Sequence, residues 1–268
     1  MPRPLAAFVA ALAIATAAPA LAQEALRVCA DPDNLPFSHE NGSGFENRIA
    51  RLVAEELRLP LQYAWLPDRR AFVRKTMGEG ACDLIIGVPV GFDPVATTVP
   101  YYRSSYVIVE RSDASVVPQS YEDEALKRLR IGVQVVGDDF AATPPGHALA
   151  RLGAFDNVVG FPLAGAEPSA ARMVRALAQG ELDAACLWGP QAAYFASRAP
   201  VPLRWRVLAP PKEPAGQRFE FSIAMGVRRG DTALRDRLNE VIRRRQPDID
   251  AILAEYAVPR VPLPVARP

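Results

Sequence analysis

The stretch "LRVCADPDNLPFSHENGSGFENRIARLVAEEL", residues 26 to 57, decides the fold. Its opening, Leu26–Asp31, reads as a short strand. The loop that follows packs two prolines, two aspartates and an asparagine into a few positions, which favours rigid turns over continued pairing. After Gly44 the pattern changes period: Ile49, Leu52, Val53 and Leu57 fall on one helical face. A strand passing through a polar loop into an amphipathic helix is the repeating unit of an α/β protein.

The same alternation continues along the chain. "LQYAW" (61–65) reads as a strand, "RRAFVRKTMGEG" (69–80) as a helix closed by Gly78 or Gly80, and "CDLIIGV" (82–88) as a buried strand. "YVIVERS" (106–112) is a further strand. A second series starts at "LRIGVQVV" (129–136). Its first helix is expected to open at Thr143, where Pro144 and Pro145 are favoured because their missing N–H groups would be unpaired anyway, and to close at Gly153. "NVVGF", "PSAARMVRALAQG", "LDAACLW", "PQAAYFASR", "LRWRVLA" and "FEFSIAMGV" continue the alternation. A helix from Asp231 carries Leu234, Leu238, Val241 and Ile242 on one stripe. Arg243–Arg245 are expected in its last turn, where cations favour the helix dipole. A separate short helix, Ile249–Tyr256, and a frayed proline-rich tail are expected to follow.

Composition narrows the function classes. Residues 1–22 pair a weakly positive start with an apolar run ending Ala20-Leu21-Ala22, the pattern of a cleavable secretory leader. The whole chain has 31 basic and 30 acidic residues. Arg3 leaves with the leader, so the mature chain is formally neutral. Such a balance gives no reason to expect nucleic acid or an anionic membrane as partner, and no later run approaches the ~20 apolar residues of a spanning helix. The three cysteines are Cys29, Cys82 and Cys186. Their odd number leaves at least one thiol unpaired within the chain, and Cys186, in a buried strand pattern, reads as a packed thiol.

Open α/β sheets bind ligands at the carboxyl ends of their strands. That rule brings "DPDNLPF", "GVPVGFD" and "GDDF" to one mouth. The residues expected there are Asp31, Asn34, Leu35, Pro36, Phe37, Phe92, Tyr101, Tyr102, Asp138, Asp139 and Trp188, with Arg70 beside them because aromatics and arginine concentrate at binding hot spots. Phe37 and Tyr101 read equally well as core. Asp31 and Asp33 lack the remaining oxygen ligands of a hard-cation loop, and Asx turns explain them more simply. His39 and His147 have no acid or nucleophile near them in sequence, so a catalytic triad has no support. No catalytic residue, metal site or cofactor is expected.

The order of these motifs resembles the type II periplasmic solute-binding proteins of family 3 over nearly the whole mature chain. The resemblance implies two α/β lobes joined by a two-strand hinge with a cleft between them. Lobe 1 would comprise 23–110 and 214–268, and lobe 2 would comprise 111–213. Five finer phrases, "CADPDNLPFS", "WLPDRRAFVR", "CDLIIGVPVGFD", "TTVPYYRSSYV" and "GVQVVGDDFAATPPGHALARLGAFDNVVGF", look like the MxaJ/XoxJ-type periplasmic proteins. Those accompany PQQ-dependent methanol dehydrogenases. This implies a periplasmic accessory role, with such a methanol or alcohol dehydrogenase and its c-type cytochrome as partners and no chemistry of its own.

The residues agree with that narrowing. Amino-acid binders of the wider family place an arginine after the third strand to clamp a carboxylate bidentately. Here "VPVGFDPVATTVPYY" (88–102) has none. Gly137-Asp138-Asp139 stands where Gly-Thr usually offers bare N–H groups to the same anion. "LWGP" (187–190) replaces the acid that would hold an ammonium. What remains suits a hydrophobic small molecule or a peptide segment of a partner. An importer subunit for a non-amino-acid solute and a dehydratase-like enzyme are the alternative readings. Cys29 and Cys82 would share an oxidising compartment and lie in neighbouring strands, which favours a disulfide. Pairing Leu26 with Asp83 in parallel, however, carries Cys29 to Ile86, beyond the ~7 Å Cα limit for a bridge to Cys82, unless the chain curls before the strand.

Overall fold

A computed structural model describes residues 25–67, 71–136, 141–163, 167–212 and 217–263. The expected leader lies outside these residues, as do Arg70, Asp138 and Asp139.

Strand β1 (Leu26–Ala30) runs through a small ribbon, β2 (Asp33–Asn34) with β3 (Ser38–His39), into α1 (Phe45–Leu57). Next come β4 (Leu61–Trp65), the one-turn α2 (Phe72–Lys75), β5 (Leu84–Pro89), the short β6 (Ala96–Thr97) and the long β7 (Tyr102–Arg111). A 3-10 turn (Glu124–Arg128) leads into β8 (Ile131–Val136), β9 (Ala141–Ala142) and α3 (Pro144–Leu152). Then follow β10 (Val158–Pro162), α4 (Ser169–Ala178), β11 (Ala184–Trp188), α5 (Gly189–Ala196) and β12 (Leu203–Arg206). Finally β13 (Glu220–Val227) and α6 (Thr232–Glu255) return to the first group.

The strands connect in the order β10-β8-β11-β7-β13-β5-β1-β4. Strand β7 makes the connection between the two groups. Its residues 102–105 pair antiparallel with β13, whereas from Tyr106 onward it pairs with β11, and from Ile108 also with β12. Beside this handover, Arg103 pairs with Glu220 at 2.7 Å. Two apolar cores flank it. One gathers Phe45, Ile49 and Val53 of α1 with Leu84, Ile86 and the buried stripe of α6. In the other group, Ile131, Val133 and Leu149 pack with Ile108 and Cys186 on one side of the sheet, and Met173, Leu177 and Leu187 pack on Val107 and Val109 on the other.

Three expectations are corrected. The helix expected over 69–80 is reduced to Phe72–Lys75, preceded by Ala71 at φ 71°. The two helices expected at the end are one, continuous from Thr232 to Glu255 with Pro247 inside. Proline there forfeits a hydrogen bond and costs ~3 kcal/mol. Beyond it Ile249, Ile252 and Leu253 continue the buried stripe, each contributing about 1.5–3 kcal/mol, so burial outweighs the break. Neighbours hold the turn before it: Glu56 of α1 pairs with Arg244 at 3.1 Å and Arg245 at 3.0 Å, and Gln246 Nε2 donates to the Tyr101 carbonyl at 2.9 Å. The arginine run is therefore mid-helix, not its last turn.

The tail, expected to fray, docks along β7 as far as Pro262, whose carbonyl accepts from Arg103 at 3.0 Å. Ser104 Oγ donates to the Pro259 carbonyl at 2.6 Å, the Val261 N–H donates to the Arg103 carbonyl at 3.0 Å, and Val258 is buried. Among the described residues no helix is long and apolar enough to cross a membrane.

Candidate functional site

At the carboxyl ends of β1 and β5, facing β7, β11 and β13, lies a cleft of about 330 Å³. Its first wall is the loop after β1, and the sequence shows why that loop holds one shape. Asp31 Oδ1 accepts from the Asp33 N–H at 2.8 Å, an Asx turn. Ser38 Oγ donates back to the Asp31 carbonyl at 2.7 Å, and the Phe37 N–H donates to the Asn34 carbonyl at 2.8 Å. Asn47, 1 % exposed, reaches out of α1 so that its Oδ1 accepts from both the His39 N–H (2.9 Å) and the Gly44 N–H (3.1 Å). The helix start presses so closely on the loop that a Cβ at Gly44 would stand 2.1 Å from the Phe37 carbonyl oxygen.

The loop is also tied covalently, by a disulfide between Cys29 and Cys82 with Cα atoms 5.4 Å apart. Only an extended chain through Cys82 would place the two cysteines out of reach. In fact β5 begins only at Leu84, opposite Val28. Cys82 lies before it, between bends at Ala81 and Asp83, with the Asp83 N–H on the Arg27 carbonyl at 2.8 Å. Arg27 grips the Asp83 carboxylate at 2.8 and 2.7 Å and fixes the curl.

Glu46, in the first turn of α1, brings its carboxylate to the cleft. A Cβ at Gly87 would lie 2.1 Å from Glu46 Oε1, so glycine is what lets this carboxylate rest against β5. The opposite wall is aromatic. Trp188 meets Tyr106 edge-on at 5.4 Å and Phe221 at 5.8 Å. Burial, reinforced by the negative charge of Glu46, holds the Tyr102 phenol well above its ordinary pKa, and burial pushes Tyr106 up to about 12. Both hydroxyls stay protonated across the physiological range.

Of the residues expected in the mouth, Asp31, Asn34, Phe37, Tyr102 and Trp188 line this cleft. Tyr101 does not, and its expected place is corrected: it is enclosed, and its hydroxyl donates to the Ile86 carbonyl at 3.0 Å. Leu35 and the buried Pro36, joined by a cis peptide, support the loop from outside the lining, and Phe92 stands 37 % exposed on the turn after β5. Sequence reasoning missed Glu46, Phe72, Gly87, Tyr106 and Phe221. The last was detectable: Phe221 and Ile223 share one face of β13 by simple alternation. His39 does acquire an acidic neighbour, Asp33, at 4.0 Å. Among the described residues there is no cluster of three or more His, Cys, Asp or Glu side chains that could hold a metal.

A second groove, about 640 Å³, lies beside the hinge strands and is lined by Pro100, Arg103, Arg218 and Glu220. It is larger and shares Pro89 and Phe221 with the first cleft, but Trp188, Tyr102, Tyr106 and the loop after β1 do not line it.

The model of the bacterial extracellular solute-binding proteins, family 3, matches residues 26–258. Protein MoxJ of Methylorubrum extorquens is 32% identical over 252 residues, covering 89% of this chain and 82% of that protein. The crystal structure of the periplasmic binding protein XoxJ from Methylobacterium extorquens AM1 superposes with a TM-score of 0.73 at 37% identity, covering 89% of this chain and 100% of that one. MxaJ from Methlophaga aminisulfidivorans shares the fold, with a TM-score of 0.74 at 24% identity over 88% of this chain and 100% of that one. The fold is thus that of the type II periplasmic binding proteins, and the chain belongs to the family 3 bacterial extracellular solute-binding proteins, in their MxaJ/XoxJ type.

Proposed function

We propose that this chain is a non-catalytic periplasmic accessory protein that engages a PQQ-dependent methanol or alcohol dehydrogenase and assists its maturation, activation or assembly. The observation that carries the reading is the likeness to MoxJ and XoxJ along most of the chain. Proteins of that type accompany such dehydrogenases. The character of the cleft supports the same reading: its described lining has no arginine or lysine to clamp a ligand carboxylate. An amino acid would lose its charge-assisted hydrogen bonds there, interactions roughly twice as strong as neutral ones. The lobes are proposed to divide where β7 changes partner, with the leader at 1–22 directing export.

The test is a pull-down from periplasm with the tagged mature protein. Enrichment of the quinoprotein dehydrogenase or its c-type cytochrome is the expected outcome. Recovery of neither, with transporter membrane subunits recovered instead, would transfer the function to import of a non-amino-acid solute.

A further inference from the structure

The segment that follows α6 touches both sides of the molecule. The helix stops at Glu255, and Ala257 turns the chain at φ 53°, a left-handed conformation that glycine more often supplies. Around this turn the chain is fastened to the side of β1 and β5. The Tyr256 hydroxyl donates to the Ser43 carbonyl at 2.6 Å, just before α1. Its ring meets Phe45 edge-on at 5.8 Å, and the Arg48 guanidinium stands 6.0 Å from its centroid. Pro259 is buried, with its carbonyl on Ser104 Oγ, and Val261 is bonded to Arg103 of β7.

The same few residues meet α5, which belongs to the other side. The Tyr194 ring lies 16° from parallel to Tyr256 with centroids 6.3 Å apart, inside the range of favourable ring contacts, about 4.5–7 Å. The Arg198 guanidinium is 3.7 Å from the Tyr194 centroid. Rings and guanidinium groups thus run from α1 to α5. At the start of α5, a Cβ on Gly189 would stand 3.1 Å from Pro259 Cγ and 2.6 Å from the Ser105 carbonyl oxygen. Glycine lets α5 settle onto both, and no gap remains through which it could move closer. These contacts lie beside the point where β7 changes partner, between Ser105 and Tyr106. Pro259 blocks the approach of α5 there, and the Tyr194–Tyr256 stack resists its withdrawal.

We propose that Tyr256–Pro262 is a strap between the lobes, which fixes their spacing and holds the cleft at one width. A binder that traps its ligand by hinge closure needs that spacing to change; a strapped cleft presents one shape. The strap rests on the division of the lobes at β7 proposed above and is independent of which protein is the partner.

Spin labels at Glu55→Cys in α1 and Arg151→Cys in α3, both exposed positions, report the spacing across the lobes by pulsed electron resonance on the mature protein. Labels at Glu55→Cys and Arg237→Cys report within lobe 1. The interlobe distances are expected to form one narrow distribution. Tyr194→Ala, which alters only the α5 side of the contact, should broaden or shift it, and Tyr256→Ala should do so further. Tyr256→Phe keeps the ring and should fall between the parent and Tyr256→Ala. The pair within lobe 1 should not change. An interlobe distribution already broad in the parent, or unchanged in both alanine variants, would overturn the strap. Broadening by Tyr256→Ala alone would overturn it too, because loss of a ring from the first core would then suffice. Broadening of the pair within lobe 1 would overturn the division of the lobes, and the strap with it.

Discussion

The two halves of the molecule secure their sides of the cleft by different means. On the side of β1 and β5 the cleft loop is held by a covalent bridge, an Asx turn and one buried asparagine, over an apolar core. On the side of β8 and β11 the tethers are buried and polar. Glu110 of β7, its side chain 2 % exposed, holds Arg204 at 3.1 Å and Arg206 at 2.9 Å. Gln134 donates to Ser169 Oγ at 2.9 Å and to Gln191 Oε1 at 3.0 Å, behind Trp188. A cross-link restricts the unfolded chain whatever the salt or pH, whereas a buried charge stabilises only while its partners remain. The first side should therefore respond to redox conditions and the second to single side-chain changes.

The largest effect expected is that of the bridge. Cys29 and Cys82 are 53 residues apart, and closing a loop of that length stabilises by about 4 kcal/mol in the chain-entropy account. Cys29→Ser/Cys82→Ser should lower the guanidinium midpoint accordingly, and reductant should do the same to the unmodified protein. Insensitivity to both would erase the contrast between the halves.

Next comes Glu110→Gln. Both arginines reach solvent, with side chains 36% and 25% exposed, so the cost falls toward the low end for a broken buried pair, about 2–4 kcal/mol. Urea unfolding would measure it, and hydrogen exchange should place the loosening at β12 and β7. A neutral result would mean that the cluster adds nothing net to stability.

Asn47→Ala is smaller and more local. It strands the His39 and Gly44 N–H groups at about 1–3 kcal/mol. Exchange should accelerate across residues 38–46 while β8 and β11 stay protected. Uniform acceleration would show that Asn47 supports the whole fold instead of the cleft loop.

These residues also mark what the sequence discloses. The alternation of strands and helices is legible because side-chain period reports burial directly: the α1 stripe of Ile49, Leu52 and Val53 is buried as its spacing requires. A part of the cleft, Asp31, Asn34, Phe37, Tyr102 and Trp188, follows from the strand-end rule. The rest depends on meetings between distant segments. Gly87 matters only because Glu46 arrives beside it, and Asn47 only because a loop three to eight residues earlier lacks acceptors. Tyr101 and Tyr102 are neighbours of one type, yet one closes on the Ile86 carbonyl and the other on the cleft. Local rules fail oppositely at Pro247, a breaker overridden by burial on both sides.

The smallest effect sharpens the comparison by pH. Cys186 lies within the second core, and burial pushes its thiol from the ordinary 9.0 up to about 12. Between those values the unfolded chain releases a proton that the folded chain keeps, so stability falls as pH rises. The contribution is complete below pH 9 and is lost progressively toward pH 12. By pH 9 the loss is only about 0.4 kcal/mol, growing by about 1.4 kcal/mol for each further unit. Buried tyrosines titrate in the same direction in both halves, so the comparison must be made against Cys186→Ala. The variant pays a fixed cavity cost at neutral pH, and the gap to the parent protein should narrow steadily above pH 9. A gap that stays constant to pH 11 would mean that the thiol ionises in the folded protein as it does in water, and that the second core admits solvent the first does not.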